Sequence, residues 1–307
     1  MSEVVAARVE PVETAERESS PLRELVGEFL ESRIAVVGLL MLALIIAAAL
    51  LAPWFAPQNP YDKSALDILD AKLPPGSKAG AGFTMWLGSD GANRDLLSGI
   101  LYGLRISLAV GVGSGAIALL VGMAVGLFAA YAGGRTEALI MRLVDIQLSF
   151  PAILIALILV ALLGKSVFNI MLALVTVQWA YYARTVRGSA LVERQKEYVE
   201  AARCLGLGQG RIMFRHILPN CLAPLIVVGT VQTAHAIALE ATLSYLGVGL
   251  DPTSPSIGVL IANGVEHIQS GKYWISLFPG VALLLTIVAI NLVGDRLRDV
   301  LNPRLKR

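Results

Sequence analysis

Along this chain long apolar runs alternate with short polar connections, and the lengths of the runs decide what they can form. Apolar runs occupy residues 34–53, 106–131, 151–163, 168–182, 222–246 and 275–293. Crossing about 30 Å of hydrocarbon at 1.5 Å per residue takes about 20 residues. The runs at 34–53, 106–131, 222–246 and 275–293 meet that length directly. The run at 151–163 reaches it only if its helix begins near Leu139 and takes Arg142, Asp145 and Gln147 into its first turns. The run at 168–182 reaches it by extension to about Ala190. The pattern predicts an all-α polytopic membrane protein with six spans, at about 34–54, 106–131, 139–163, 168–190, 222–246 and 275–294. A cleaved signal peptide is excluded as the reading of the first run, because its polar leader is too long and its core exceeds 7–15 residues.

Between the spans the polar segments differ in character. Residues 1–20 lack a sustained apolar period and predict disorder. Residues 21–33 place Leu22, Leu25, Val26, Phe29 and Leu30 at helical spacing, which predicts an interfacial helix within an N-terminal tail of 1–33. An outer segment over 56–105 is loop-like in its Pro- and Gly-rich first half and helical over 95–107. A second outer segment, 247–273, reads as a loop with a short helix near 257–267. The transmembrane domain is then 34–296, followed by a tail over 297–307. Glycines 111, 113, 115, 122 and 126 suit close helix approach in the second span.

Composition agrees and charge adds orientation. Hydrophobic residues are 56% of the 307 and charged residues 16%, against about 45–50% apolar content in ordinary globular chains. With the N-terminus inside, 18 basic residues fall on the inner side and seven on the outer. Positive residues stay cytoplasmic, so both termini are expected inside a bacterial inner membrane. The two cysteines, Cys204 and Cys221, fall in or beside an inner loop, where reducing conditions argue against a disulfide.

That inner loop, 191–221, is the strongest signal. Residues 188–220 carry Glu193, Arg194, Lys196, Glu197, Glu200, Arg203, Arg211 and Arg215, a density of charge that crossing a bilayer does not require. The series Glu200-Ala201-Ala202, Gly206 and Leu218-Pro219 fits two short helices joined at a glycine turn, since glycine takes positive φ without steric cost. Small Ala201 and Ala202 allow close approach of a partner, Glu200 offers a carboxylate, and Pro219 marks a break before the fifth span.

Here the sequence resembles the membrane subunits of bacterial ABC importers, whose loop signature reads E-A-A, three residues, G, nine residues, I-x-L-P. His216 stands where that pattern has Ile. The stretch 197–220 is similar to the peptide/nickel-type permease branch. So are Trp86-Leu-Gly-Ser-Asp90 with Arg94-Asp95, Met141-Arg-Leu-Val-Asp145, Glu240-Ala-Thr-Leu-Ser-Tyr-Leu-Gly247 and Asn291-Leu-Val-Gly-Asp295. The resemblance covers about 34–304. It departs at Met85 (His is frequent), Asn93 (Gly), Glu137 (Asp), Ile257 (Trp) and Arg296 (Gly).

The resemblance implies the type I ABC importer permease fold and a coupling helix seated in a cytoplasmic ATPase, with Glu200, Ala201, Ala202, Gly206, Leu218 and Pro219 as coupling residues. It also implies a homologous second permease, two ATPase subunits that bind ATP and Mg, and an extracytoplasmic binding protein. No cofactor, metal site, catalytic residue or nucleic-acid partner is expected in this chain. Gly164-Lys165-Ser166 is no phosphate loop, because position 159 is Leu where the motif needs Gly. Charged groups inside spans tend to face a cavity or a partner, so Glu240, His235 and Asp145 are candidate pathway-lining residues. Arg142 and Asp145 are placed to pair along one helix face. Asp90, Arg94 and Asp95 are candidate contacts for the binding protein. Peptides are the expected cargo, with nickel, opines or oligosaccharides as alternatives on the same machine. A stand-alone secondary transporter or channel is the rival from another class.

Overall fold

The computed structural model describes residues 21–62, 66–251 and 254–301. The expectations for 1–20, Lys63, Pro252 and the tail beyond 301 lie outside those residues, as does the side chain of Leu22.

Twelve α-helices are described: α1 (Pro21–Glu31), α2 (Arg33–Leu50), α3 (Ala52–Phe55), α4 (Leu96–Ala132), α5 (Gly134–Ser149), α6 (Ala152–Leu163), α7 (Val167–Glu193), α8 (Glu197–Cys204), α9 (Gln209–Ile212), α10 (Leu218–Tyr245), α11 (Ile257–Val265) and α12 (Trp274–Leu301). One two-residue antiparallel hairpin, Ser77–Lys78 with Thr84–Met85, interrupts the segment over 56–105. Its Pro- and Gly-rich half therefore has more structure than its composition predicted. The helix expected near 257–267 is α11.

Among the described residues, four helices are long and apolar enough to cross a membrane, or five if a bent pair counts as one span. That pair corrects the expectation of one continuous helix over 139–163: α5 and α6 meet at 88°. The cause is local. Phe150 precedes Pro151 and is extended at φ −89°, ψ 141°, because the proline ring disfavours helical ψ in the residue before it. The remaining expected span, α7, has the length at 27 residues. Its Asn169, Gln178, Arg184 and Arg187 leave it more polar than the others. Its Gln178 is buried and donates to the Gln232 carbonyl of α10 at 3.1 Å.

The bundle is built on close approach of α4 and α7. A Cβ added at Gly122 would stand 2.4 Å from the Trp179 carbonyl oxygen, and one at Gly126 2.3 Å from that of Ala183. Small residues four apart let backbones touch where no hydrophobic force separates protein from lipid. The helices α10 and α12 pack on this pair, α2 covers α12 and α4, and α11 lies against α12 and α10. Arg296, standing where the resembling family favours Gly, donates from its guanidinium to the Glu28 carbonyl and ties α1 to α12.

Before α10 the chain winds as a π-turn over Met213–Ile217, continuous with α9. Pro219 is thus no break but the first turn of α10, where a missing N–H costs nothing. The wider π-turn accommodates the proline ring against the preceding carbonyls.

Candidate functional site

At one end of the bundle, α8 and α9 form a small platform. Eight residues are too few for an isolated helix to persist in water, so α8 exists by packing. Val199 and Ala202, three apart on one face, are buried in a cluster with Leu127, Tyr182, Val186 and Ile217. Burying one valine contributes about 1.5–3 kcal/mol. Glu197 and Glu200 sit in the first turn and Arg203 in the last, which complements the helix dipole.

The glycine turn closes α8. Gly206 has φ +70°, its N–H donates to the Arg203 carbonyl at 2.9 Å, and the Leu207 N–H donates to Ala202 at 3.2 Å. This is a Schellman cap, and it aims α9 back onto the bundle. The platform's outward face carries Glu197, Glu200, Ala201 and Cys204, with Leu205 79% and Phe214 62% exposed. The six residues expected to couple therefore separate by role. Glu200 and Ala201 face outward, Ala202 and Leu218 pack inward, Gly206 makes the turn, and Pro219 is exposed on the first turn of α10. Leu205 and Phe214 are missing from the expected set, although an apolar residue inside a charged loop is itself a signal.

A polar clamp holds the platform in place. Tyr198 donates to Glu193 Oε2 at 2.6 Å, Asn220 Nδ2 donates to Tyr198 Oη at 3.2 Å and to the His216 carbonyl at 2.7 Å, and Lys196 pairs with Glu193 at 2.6 Å. One chain of contacts thus joins the end of α7, α8 and the start of α10. Burial and the Glu193 carboxylate push the Tyr198 hydroxyl up to about 12. Burial alone would raise Glu193, but Lys196 and Tyr198 together hold it below the usual carboxylate range. A carboxyl depressed in the folded state stabilises above its unfolded pKa and loses that contribution as pH falls through the folded value. Proteolytic nicking of the loop is therefore expected to rise on acidification, and Glu193→Gln to flatten the profile. Tyr198→Phe removes a charge-assisted bond and should cost about 1.5–3 kcal/mol, read as faster hydrogen exchange in α8; unchanged exchange would remove the clamp from the account.

The polar groups within the bundle fall in two places. Glu240 is fully buried and accepts from Ser107 at 3.0 Å and Ser244 at 2.9 Å, with Ser256 as a third partner. It joins α4, α10 and the start of α11. The bonds made here tie one helix to another. Glu240→Leu leaves these hydroxyls without their acceptor and should destabilise by about 1–3 kcal/mol. Glu240→Gln, which keeps a carbonyl, should lose less. A melt in detergent that ranks the two the other way would show the serines are satisfied elsewhere.

His235, by contrast, is exposed and lines a cavity of about 790 Å³ with Arg184, Gln232, Asp295 and Arg298 between α7, α10 and α12. Asp145 reaches its edge by pairing with Arg184 at 2.5 Å. The partner is Arg184, in place of the Arg142 that the sequence pattern predicts. Asp145 and Arg142 share α5, but Arg184 comes from the facing helix. A second bridge, Arg187 to Glu137 at 2.5 Å, repeats the α5–α7 tie.

At the other end, Asp90, Arg94 and Asp95 are buried. Asp90 accepts from the Ala92 and Arg94 N–H groups at 2.8 and 2.9 Å and from Arg94 Nε at 2.8 Å. Asp95 caps α4 through Ser98 N at 2.8 Å, and burial pushes its carboxyl up despite the Ser98 bonds. These side chains build the loop from within. Asn93 explains its own substitution for Gly: its φ is +64°, a region asparagine tolerates better than other side chains.

Comparison with known proteins gives this geometry a context. A family profile described as binding-protein-dependent transport system inner membrane component matches residues 122–307. A second, the N-terminal TM domain of oligopeptide transport permease C, matches 20–75. The Di/tripeptide transport system permease protein DppC of Pseudomonas aeruginosa is 40% identical over 287 residues, 94% of this chain and 93% of that protein. The Dipeptide transport system permease protein DppC of Escherichia coli is 42% identical over 289 residues, 94% and 95% of the two chains. In solved structures, a chain of the MetNI methionine ABC transporter in an inward-facing conformation superposes with TM-score 0.54 at 20% identity. It covers 66% of this chain and 96% of that one, a likeness of fold.

Proposed function

The chain belongs to the binding-protein-dependent transport system inner membrane components, and on that premise we propose that it is the permease subunit of an ATP-driven importer of di- and oligopeptides. The observation that carries the coupling role is the α8 platform, an amphipathic helix clamped to the ends of α7 and α10 with an outward face of Glu197, Glu200, Ala201 and Leu205. The platform moves with the spans because Val199, Ala202 and the Glu193–Tyr198–Asn220 chain anchor it to them. A soluble ATPase seated on that face can therefore displace α7 and α10 together. Glu200, Ala201 and Gly206 make the contact and the turn. Ala202, Leu218 and Pro219 hold them against the bundle.

The chain is a non-catalytic subunit, and ATP with its magnesium belongs to partner ATPases. Two such subunits, a homologous second permease and an extracytoplasmic binding protein complete the machine. The chain crosses the bacterial inner membrane several times, with six spans when α7 and the bent α5–α6 pair are each included and both termini inside. Its half of the alternating-access pathway runs through the cavity at His235, Arg184 and Asp295. Closure of the ATPases draws the platforms together and turns the pathway outward; release of phosphate turns it back.

Co-expression with the neighbouring permease, ATPase and binding-protein genes, followed by ATPase assays in nanodiscs against a peptide panel, tests the reading. Stimulation by peptide-loaded binding protein is expected. Stimulation by nickel, opines or oligosaccharides alone would keep the machine and change the cargo. ATP-independent uptake with no ATPase bound would replace the reading with a secondary transporter.

A further inference from the structure

Beneath the α8 platform lies a second cavity, of about 330 Å³, within the size range of small-ligand sites. Its floor is apolar, with Leu127 and Ala130 of α4, Ala190 of α7 and Ile212 of α9. Its polar lining is of one sign: Arg194 and Arg203 contribute cationic groups, and no carboxylate stands among the lining residues. The cavity of about 790 Å³ differs, holding Asp295 beside its arginines. Arg194 commits one N–H to the Ala130 carbonyl at 3.2 Å, which fixes its guanidinium at the rim. Arg203 projects from the last turn of α8 and is exposed.

The depth of this cavity is set by α4. That helix is apolar up to Ala132 and is followed by Gly133, Gly134 and Arg135, so the bilayer's hydrocarbon ends beside it. Tyr131, a lining residue, is 46% exposed at that level, as tyrosines at the headgroup boundary are. A site with an apolar floor, two guanidiniums and the depth of the headgroups matches an amphiphile with an anionic phosphate. Basic pockets between spans on the inner side suit such headgroups.

We propose that the cavity between the ends of α4 and α7 and the α8–α9 platform binds the phosphodiester of an anionic phospholipid through Arg194 and Arg203. The phosphate bridges the end of α7 to the last turn of α8, so the lipid becomes part of the joint that carries motion into the spans. Free inorganic phosphate shares this chemistry but not the need for an apolar floor. The inference rests on the chain spanning a membrane and not on its cargo, so loss of peptide-stimulated ATPase would leave it standing.

The test purifies the assembled transporter from mixed phosphatidylglycerol and phosphatidylcholine nanodiscs into detergent and counts retained lipids by mass spectrometry. Wild type is expected to retain phosphatidylglycerol selectively. Arg203→Gln, at an exposed position, is expected to weaken retention about fivefold, and Arg194→Gln with it about fivefold more. Arg203→Lys keeps the charge and should retain the lipid. Equal retention of both lipids by wild type would overturn the proposal, as would retention indifferent to both arginines. Full displacement of phosphatidylglycerol by millimolar inorganic phosphate would assign the site to the free anion and overturn the lipid.

Discussion

Gly126→Val is expected to prevent the bundle from assembling. A Cβ at this position would lie 2.3 Å from the Ala183 carbonyl oxygen, 2.9 Å from its Cα and 3.0 Å from its carbonyl carbon. All three are backbone atoms and cannot rotate away, so α4 and α7 must separate. Gly122, one turn earlier, meets the Trp179 oxygen at 2.4 Å and the Ala183 nitrogen at 2.9 Å, so the separation propagates along the interface. Overpacking costs about 1–3 kcal/mol where side chains can adjust, and more where they cannot. Valine's branches add to it. Gly188→Ala is the control, since nothing lies within 4 Å of a Cβ there and alanine favours the helix by about 0.5–1 kcal/mol. The melting temperature and folded yield in detergent read the difference. A Gly126→Val protein melting within a few degrees of wild type would sink the argument.

Gly206→Asp is expected to leave the permease folded while abolishing substrate-stimulated ATPase activity. The φ of +70° costs an L-residue about 1–2 kcal/mol, with aspartate among the better tolerated. Space is open around the site, so the chain keeps its turn. The new carboxylate then stands next to exposed Leu205, on the face proposed to seat the ATPase. Burying an uncompensated charge in an interface costs several kcal/mol, and each 1.4 kcal/mol is tenfold in affinity. ATPase capture by the tagged permease should weaken on the order of hundredfold. Gly206→Ala, which adds strain without charge, should retain most of the coupling. If Gly206→Asp assembles normally and its ATPase still responds to loaded binding protein, Gly206 has no part in coupling.

Much of this architecture is legible in the residues alone. Gly206 can be identified as a turn because a Schellman cap needs only six consecutive residues. The break at Pro151 is equally local, yet the length that a span requires argues against it. The apolar run over 152–163 is too short alone, and the extension to Leu139 that completes it passes through the one residue pair unable to stay helical. Asn93 and Pro219 show the same tension. Each is a departure or a breaker by type, and each is accommodated by a local backbone state that a residue pattern does not display.

What the sequence determined by itself was the membrane-spanning class, the position of the charged loop and the glycine that turns it. Run length against bilayer thickness and positive φ at a glycine are properties of contiguous residues. Only the tertiary structure decided what the polar side chains do. Glu240 is closed off by serines 133 residues away and nearer, Asp145 finds Arg184 39 residues on, and Asp90 with Arg94 turns inward. A charge in a span must find a partner, and which partner depends on the faces that neighbouring helices present. That choice is made when the helices pack, through contacts such as Gly126 on Ala183.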